Sequence, residues 1–153
     1  MRLTDTLITW LKKEEWDEVP EFDEEQQTSS VSFSTSVGDF SIKCWFDISE
    51  KAEVFKVFMY FLDTKVPEKR LDEVQKFVTA VSVGMMLGNL QLLTEQRTIR
   101  FYHAIDVEDA AFEPAHITNM LKAGLRTMDE TLPKYMAICF GGKTAEEVLA
   151  TEE

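Results

Sequence analysis

The residues that could do chemistry are few. Near the C-terminus the chain reads AICFGGKTAEEV, and Gly142, Lys143 and Thr144 match the end of the phosphate-loop pattern G-x-x-x-x-G-K-[ST]. In such a loop, backbone N–H groups wrap the phosphates and the lysine reaches the outer ones. The pattern needs its first glycine at position 137, where this chain has Ala137. It also needs a buried parallel strand before it and a long helix within an α/β fold after it, whereas nine residues follow Thr144. Thr144, Ala145, Glu146 and Glu147 read instead as a capping box, the threonine and glutamate each satisfying the other's backbone N–H. Gly141 and Gly142 then end the preceding helix.

Two histidines, His103 and His116, bracket Asp106, Glu108, Asp109 and Glu113. A metal site needs three or four converging ligands, and this spacing matches no metal signature. His103 shares strand parity with Ile99, Phe101 and Ile105, which puts it on or near a core face. His116 falls in the first turn of a helix, where a cation is disfavoured and a neutral, hydrogen-bonded imidazole is expected. A catalytic cysteine wants an exposed, electropositive setting. Cys44 has the parity of a buried strand face, and Cys139 lies between Ile138 and Phe140, so both read as small core hydrophobes. No G-x-S-x-G, dinucleotide fingerprint or paired-carboxylate pattern is present.

These residues must be positioned by a chain of 153 residues, the length of one ordinary domain spanning 1–153. Its hydrophobic content of 44% and charged content of 29% are those of a globular protein. Two cysteines make no disulfide framework, which fits a cytoplasmic setting. The opening MRLTDTLITWLKK lacks the apolar run of a signal peptide, and no window is long and apolar enough for a membrane span. The net charge of −12 repels phosphate backbones and disfavours nucleic acid as a partner. Glu14 to Glu25, EEWDEVPEFDEE, carries eight acids and no base. It reads as a solvated connector, the alternative being a segment that docks on a basic partner.

The periodicities give the elements. A helix is expected from about Thr4, its cap, to Glu15, with Leu3, Leu7, Trp10 and Leu11 at helical spacing. SVSFSTSV and FSIKCWFDI alternate as strands around a Gly38-Asp39 turn. The second of these has Ser41, Lys43, Trp45 and Asp47 on its polar side. In EVFKVFMYFL, Val54, Phe58, Tyr60 and Leu62 occupy one face and Phe55, Val57, Met59 and Phe61 the other, the pattern of a strand covered on both faces. PEKRLDEVQKFVTAVSVGMML reads as a helix stopped at Gly88-Asn89. LQLL and TIRFYHAID form a hairpin around TEQR. Pro114 opens a last long helix, carrying Ile117, Leu121, Gly124, Leu125 and Met128 on one face and interrupted at Pro133. The order α-β-β-β-α-β-β-α means an α+β fold, an antiparallel sheet packed with helices.

The apolar excess points to contact rather than catalysis. Trp45 interrupts a polar strand face, and the Phe55, Val57, Met59 and Phe61 face of 54–62 is wholly apolar. The sheet is therefore covered either by the chain's own helices or by a partner. The segments MMLGNLQLLTEQRTIRFYHAIDV, ITNMLKAGLRTMDETLPKY and FGGKTAEE, in that element order, resemble the YbjN-like proteins, a bacterial group of sensory transduction regulators, and especially their cyanobacterial members. That group has the type III secretion chaperone-like fold. The resemblance implies a non-enzymatic protein that works by contact, chaperone-like and dimeric, with no catalytic residue to transfer. The first expectation is thus a cytoplasmic homodimer that holds a protein or peptide client, without cofactor or metal, through Trp45, Phe55, Val57, Met59 and Phe61. The alternatives are an enzyme or metal protein using His103 and His116, and a structural subunit of a larger assembly.

Overall fold

The computed structural model describes residues 1–150. Its core is a six-stranded antiparallel sheet in the order β1-β2-β3-β4-β6-β5. The strands are β1 (Glu21–Asp23), β2 (Thr28–Val37), β3 (Phe40–Ser49), β4 (Val54–Phe61), β5 (Asn89–Leu93) and β6 (Thr98–Asp106). The helices are α1 (Arg2–Lys13), α2 (Leu71–Gly84), α3 (Pro114–Phe140) and α4 (Ala145–Leu149). Among the described residues no helix is long and apolar enough to cross a membrane.

Strand alternation decides which face is covered. The fully buried strand residues share one parity: Val31 and Phe33, Ile42 to Ile48 by twos, Phe55 to Phe61 by twos, and Ile99 with Phe101. Helices α1 and α3 lie on this face. Trp10 of α1 meets Phe46 edge-on at 5.4 Å, and Tyr135 of α3 stacks on Phe61 at 5.5 Å. At Gly124 helix α3 comes so close to the sheet that an added Cβ would lie 2.5 Å from Met59 Cε and 2.9 Å from Phe101 Cδ1. Only a residue without a side chain permits that approach.

Several boundaries differ from the expectation. Helix α1 begins at Arg2, and Thr4 is not its cap. Thr4 is a buried residue whose hydroxyl lies 2.8 Å from Ser29 Oγ, while Glu50 accepts from Leu3 N at 3.0 Å and Thr4 N at 2.9 Å. The acidic connector contains a strand: β1 pairs with β2 through Glu21↔Ser30 and Asp23↔Thr28. All three of its side chains are exposed, so no hydrophobic alternation announced it. The second helix starts as a 3₁₀ turn at Glu68–Arg70 and stops at Gly84, not at Gly88. Met85 is already extended, and Ser82 Oγ donates to Leu90 O and accepts from Leu90 N, both at 3.0 Å. That pair satisfies backbone groups on the outer edge of β5, which an edge strand otherwise leaves free. Pro133 does not interrupt α3, which runs unbroken for 27 residues. Buried Met128, Thr131, Tyr135 and Ile138 anchor it on both sides of the proline, outweighing the one lost backbone bond.

Candidate functional site

The structure separates the five residues expected to contact a partner. Phe55, Val57 and Met59 are completely buried and Phe61 nearly so, under the chain's own helices. This corrects the expectation for those four: they are core. Trp45 points from the opposite face and is 39% exposed. The reading of β4 as covered on both faces is corrected as well, because the face holding Phe58 and Tyr60 carries no helix.

Register builds that open face into rows. Ser32, Trp45, Phe58, Tyr102 and Asn89 are successive cross-strand partners from β2 to β5. The adjacent row is Ser34, Lys43, Tyr60, Arg100 and Gln91. Phe58 and Tyr102 rings pack at 5.2 Å. The Arg100 guanidinium lies 4.9 Å over Phe58 and 5.9 Å over Tyr102. Its Nη1 donates to Tyr60 Oη at 3.0 Å and its Nε to Gln91 Oε1 at 2.6 Å. Lys43 Nζ sits 5.9 Å over the Trp45 ring. Each such cation–π contact contributes about 0.5–1 kcal/mol where exposed. Together they explain why large aromatics stay half-buried without a covering helix.

Trp45 lines two hollows. One, of about 510 Å³, is bounded by Lys43, Trp45, Tyr60, Leu62 and Lys65 and has no acidic residue in its wall. The other, of about 250 Å³, lies toward β1, between Trp45 and Glu18, Val19 and Glu21 of the acidic segment. A third hollow, of about 290 Å³, holds Asp47 and Lys56 among serines. Burial pushes the Asp47 carboxyl above its ordinary value, against the pull of Lys56. No histidine or cysteine lines any of the three. Lys43, Lys65 and Arg100 pair with no carboxylate among the described residues. The arrangement offers stacking surface and positive charge within a protein of net charge −12.

The other chemistry-bearing residues have structural roles. His116 Nδ1 accepts from Glu113 N at 2.9 Å, closing the cap of α3, and its ring stacks on Phe112. His103 faces the helix layer beside Phe101, and burial lowers its pKa from 6.5. Among the described residues no three of His, Cys, Asp and Glu group so as to hold a metal ion. At GGKT, Gly142 takes φ +68°, Lys143 N donates to Ala137 O at 3.1 Å, and Thr144 and Glu147 form the expected capping box. Arg70 covers the end of α3, donating to Ile138 O at 2.7 Å and to Lys143 O. Both cysteines are buried. Burial pushes the Cys44 thiol up to about 12 and Cys139 up to about 11. Native protein at about pH 8 is therefore expected to leave both thiols unalkylated by iodoacetamide while urea-unfolded chain labels fully. Labelling of native Cys44 at the unfolded rate would contradict its placement.

Phe58 and Tyr60, expected on a covered face, stand on the open one, with Arg100 and Tyr102 beside them. The signal was there: in TIRFYHAID, Arg100 and Tyr102 take the parity opposite Ile99 and Phe101.

Fold and site together define an α+β protein whose sheet is covered by helices on one face and lined with aromatics and cations on the other. No family model matches the chain, and no curated protein matches it in sequence. Among solved structures, a chain from "Structure of the HopA1-SchA Chaperone-Effector Complex" is similar over 84% of this chain and 88% of its own length. The identity is 14% and the TM-score 0.44.

Proposed function

We propose that this chain is a cytoplasmic, non-enzymatic protein-binding module that takes a partner on the open face of its sheet. The observation that carries the reading is the uncovered row Trp45, Phe58, Tyr102, held flat by Arg100. Aromatic and arginine side chains are the types that dominate contact surfaces. Here they are preorganised by cross-strand packing, so little rotamer entropy is lost on contact. The buried, protonated thiols fit a reducing compartment. The element order and sequence ending that resemble the YbjN-like proteins fit a contact function too.

The reading is tested by photo-crosslinking in cells. A benzophenone amino acid at position 45 is expected to trap a protein adduct that is lost on adding Phe58→Glu, while the same probe at exposed Glu130 on α3 traps none. Equal adducts from both positions, or none from position 45, would discard the open face as the contact surface.

A further inference from the structure

We infer that the hollow between Trp45, Tyr60 and the connector 62–65 binds a small aromatic carboxylate, its ring against Trp45 and its charge between Lys43 and Lys65. The inference stands apart from the protein contact proposed above, although both use Trp45.

Strand register separates charge along the open face. Glu21, Asp23, Asp47 and Asp106 stand toward one end of the strands, with Lys56 among them. The row of Trp45, Phe58 and Tyr102 divides that end from Lys43 and Arg100. The hollow lies on the cationic side of the row. Among the described residues its wall holds no acid, and neither Lys43 nor Lys65 pairs with a carboxylate. Asp63, beside Leu62 in the chain, does not line it and accepts from Ser41 N at 3.1 Å. Two uncompensated lysines in one recess favour an anion locally, whereas the net charge of −12 repels a polyanion at longer range.

The recess is shaped before any ligand arrives. Leu62 N donates to Ser41 O at 3.0 Å and Val66 N to Arg97 O at 2.7 Å. These bonds tie the connector to β3 at one end and to the β5–β6 turn at the other. Lys43 Nζ is held 5.9 Å over the Trp45 ring, and Tyr60 Oη is fixed by Arg100 at 3.0 Å. The volume of about 510 Å³ falls in the range of about 300–1,000 Å³ typical of small-molecule sites. Trp45, 39% exposed, and Leu62, 51% exposed, give it apolar surface that the chain leaves uncovered. Thr64 and Thr98 add neutral hydroxyl donors. The cations of the wall are lysines, point charges on flexible stems. Arg100 is committed to Tyr60 and Gln91, so no forked guanidinium is aimed at the recess. That set suits the single charge of a carboxylate rather than a phosphate group, which draws on forked arginines and backbone N–H groups.

The probe is 2-naphthoate, with 2-naphthamide as a neutral counterpart of the same shape, followed by NMR of the full chain. 2-Naphthoate is expected to shift the Trp45 indole N–H saturably. The indoles of Trp10 and Trp16, packed on Phe46 and Phe33 of the helix face, are expected to stay in place. The amide is expected to bind about five- to tenfold more weakly, the effect of two exposed ion pairs. Lys43→Gln with Lys65→Gln is expected to bring 2-naphthoate down to the affinity of the amide and to leave the amide unchanged. Both substitutions are on the surface, and an unchanged melting temperature confirms folding. No saturable shift at Trp45 at millimolar 2-naphthoate overturns the inference. So does equal binding of acid and amide, or a double lysine variant that binds the acid like wild type. Naphthoate binding without a crosslinked adduct at position 45 keeps this site and removes the protein contact; an adduct without naphthoate binding does the reverse.

Discussion

Phe55→Ala is expected to lower stability by about 3–5 kcal/mol, and Phe55→Glu to abolish cooperative folding. Phe55 is fully buried, with its ring 5.4 Å from Phe46 and 5.1 Å from Phe112. Truncation there leaves a cavity between sheet and helices, and a carboxylate there has no water and no counter-charge. A domain of this kind is stable by only about 5–15 kcal/mol, so the charged variant removes most of that margin. Phe58, three positions along the same strand but on the other face, is expected to behave differently. Phe58→Ala loses half-buried area and the Arg100 contact at 4.9 Å, about 1–2 kcal/mol together, and melts cooperatively. Thermal melts followed by circular dichroism compare the two directly. A Phe55→Glu variant that melts like wild type would refute the assignment of faces. So would a Phe58→Ala variant as damaged as Phe55→Ala.

That contrast marks what periodicity can and cannot tell. Alternation correctly divided each strand into two sets of residues, and the buried sets of β2 and β3 were legible from Val31, Phe33, Ile42 and Phe46. In β4 the two sets differ by a single charge, Lys56 beside Phe58 and Tyr60, so alternation carried only a weak sign. Whether Phe55 or Phe58 faces the helices depends on register with β3, where Phe55 opposes Ile48 and Phe58 opposes Trp45. Trp45 itself was the better clue. A large aromatic on the serine and lysine side of β3 indicates which side of its neighbours stays open.

The missed boundaries share one physical cause: each is set by a contact distant in sequence. The early stop of α2 reflects the Ser82 hydroxyl bonding the Leu90 backbone, eight residues on. The continuity of α3 through Pro133 reflects packing of Tyr135 on Phe61. Strand β1 exists because β2 offers it an edge, not because Glu21, Phe22 and Asp23 favour a strand. Local rules succeeded where the partner is also local, as at the Gly38 turn and the Thr144–Glu147 box.

Helix α1 gives the strongest case of a distant cap, and with it a pH-dependent prediction. Its first-turn N–H groups are met by Glu50, which follows β3, rather than by a side chain of its own end. Leu3 N donates to Oε1, while Thr4 N and Thr4 Oγ1 donate to Oε2, the last at 2.6 Å. Burial alone would raise the Glu50 carboxyl. The bonds from Thr4 and Leu3, with the N-terminal ammonium, outweigh it and hold the pKa below its ordinary 4.5. Hydrogen bonds to a charged group contribute about 1.5–3 kcal/mol, and an acid at a helix N-terminus gains further from the dipole. Glu50→Ala is therefore expected to cost about 2–3 kcal/mol. Glu50→Gln keeps one acceptor oxygen, turns an amide toward existing donors, and is expected to cost nearly as much. The sign of the pH effect follows from the lowered value. The stabilisation is fully present above the unfolded carboxyl's pKa and is lost as pH falls through the folded one. The Tm gap between wild type and Glu50→Gln should thus be about 4–8 °C near neutrality and close below pH 4.5. A gap unchanged from neutral to strongly acidic pH would show that shape, not charge, holds the start of α1. Because Thr4 also bonds Ser29 on the core face of β2, loss of the cap is expected to loosen α1 from the sheet, raising hydrogen exchange at Leu7 and Trp10 before that of β3.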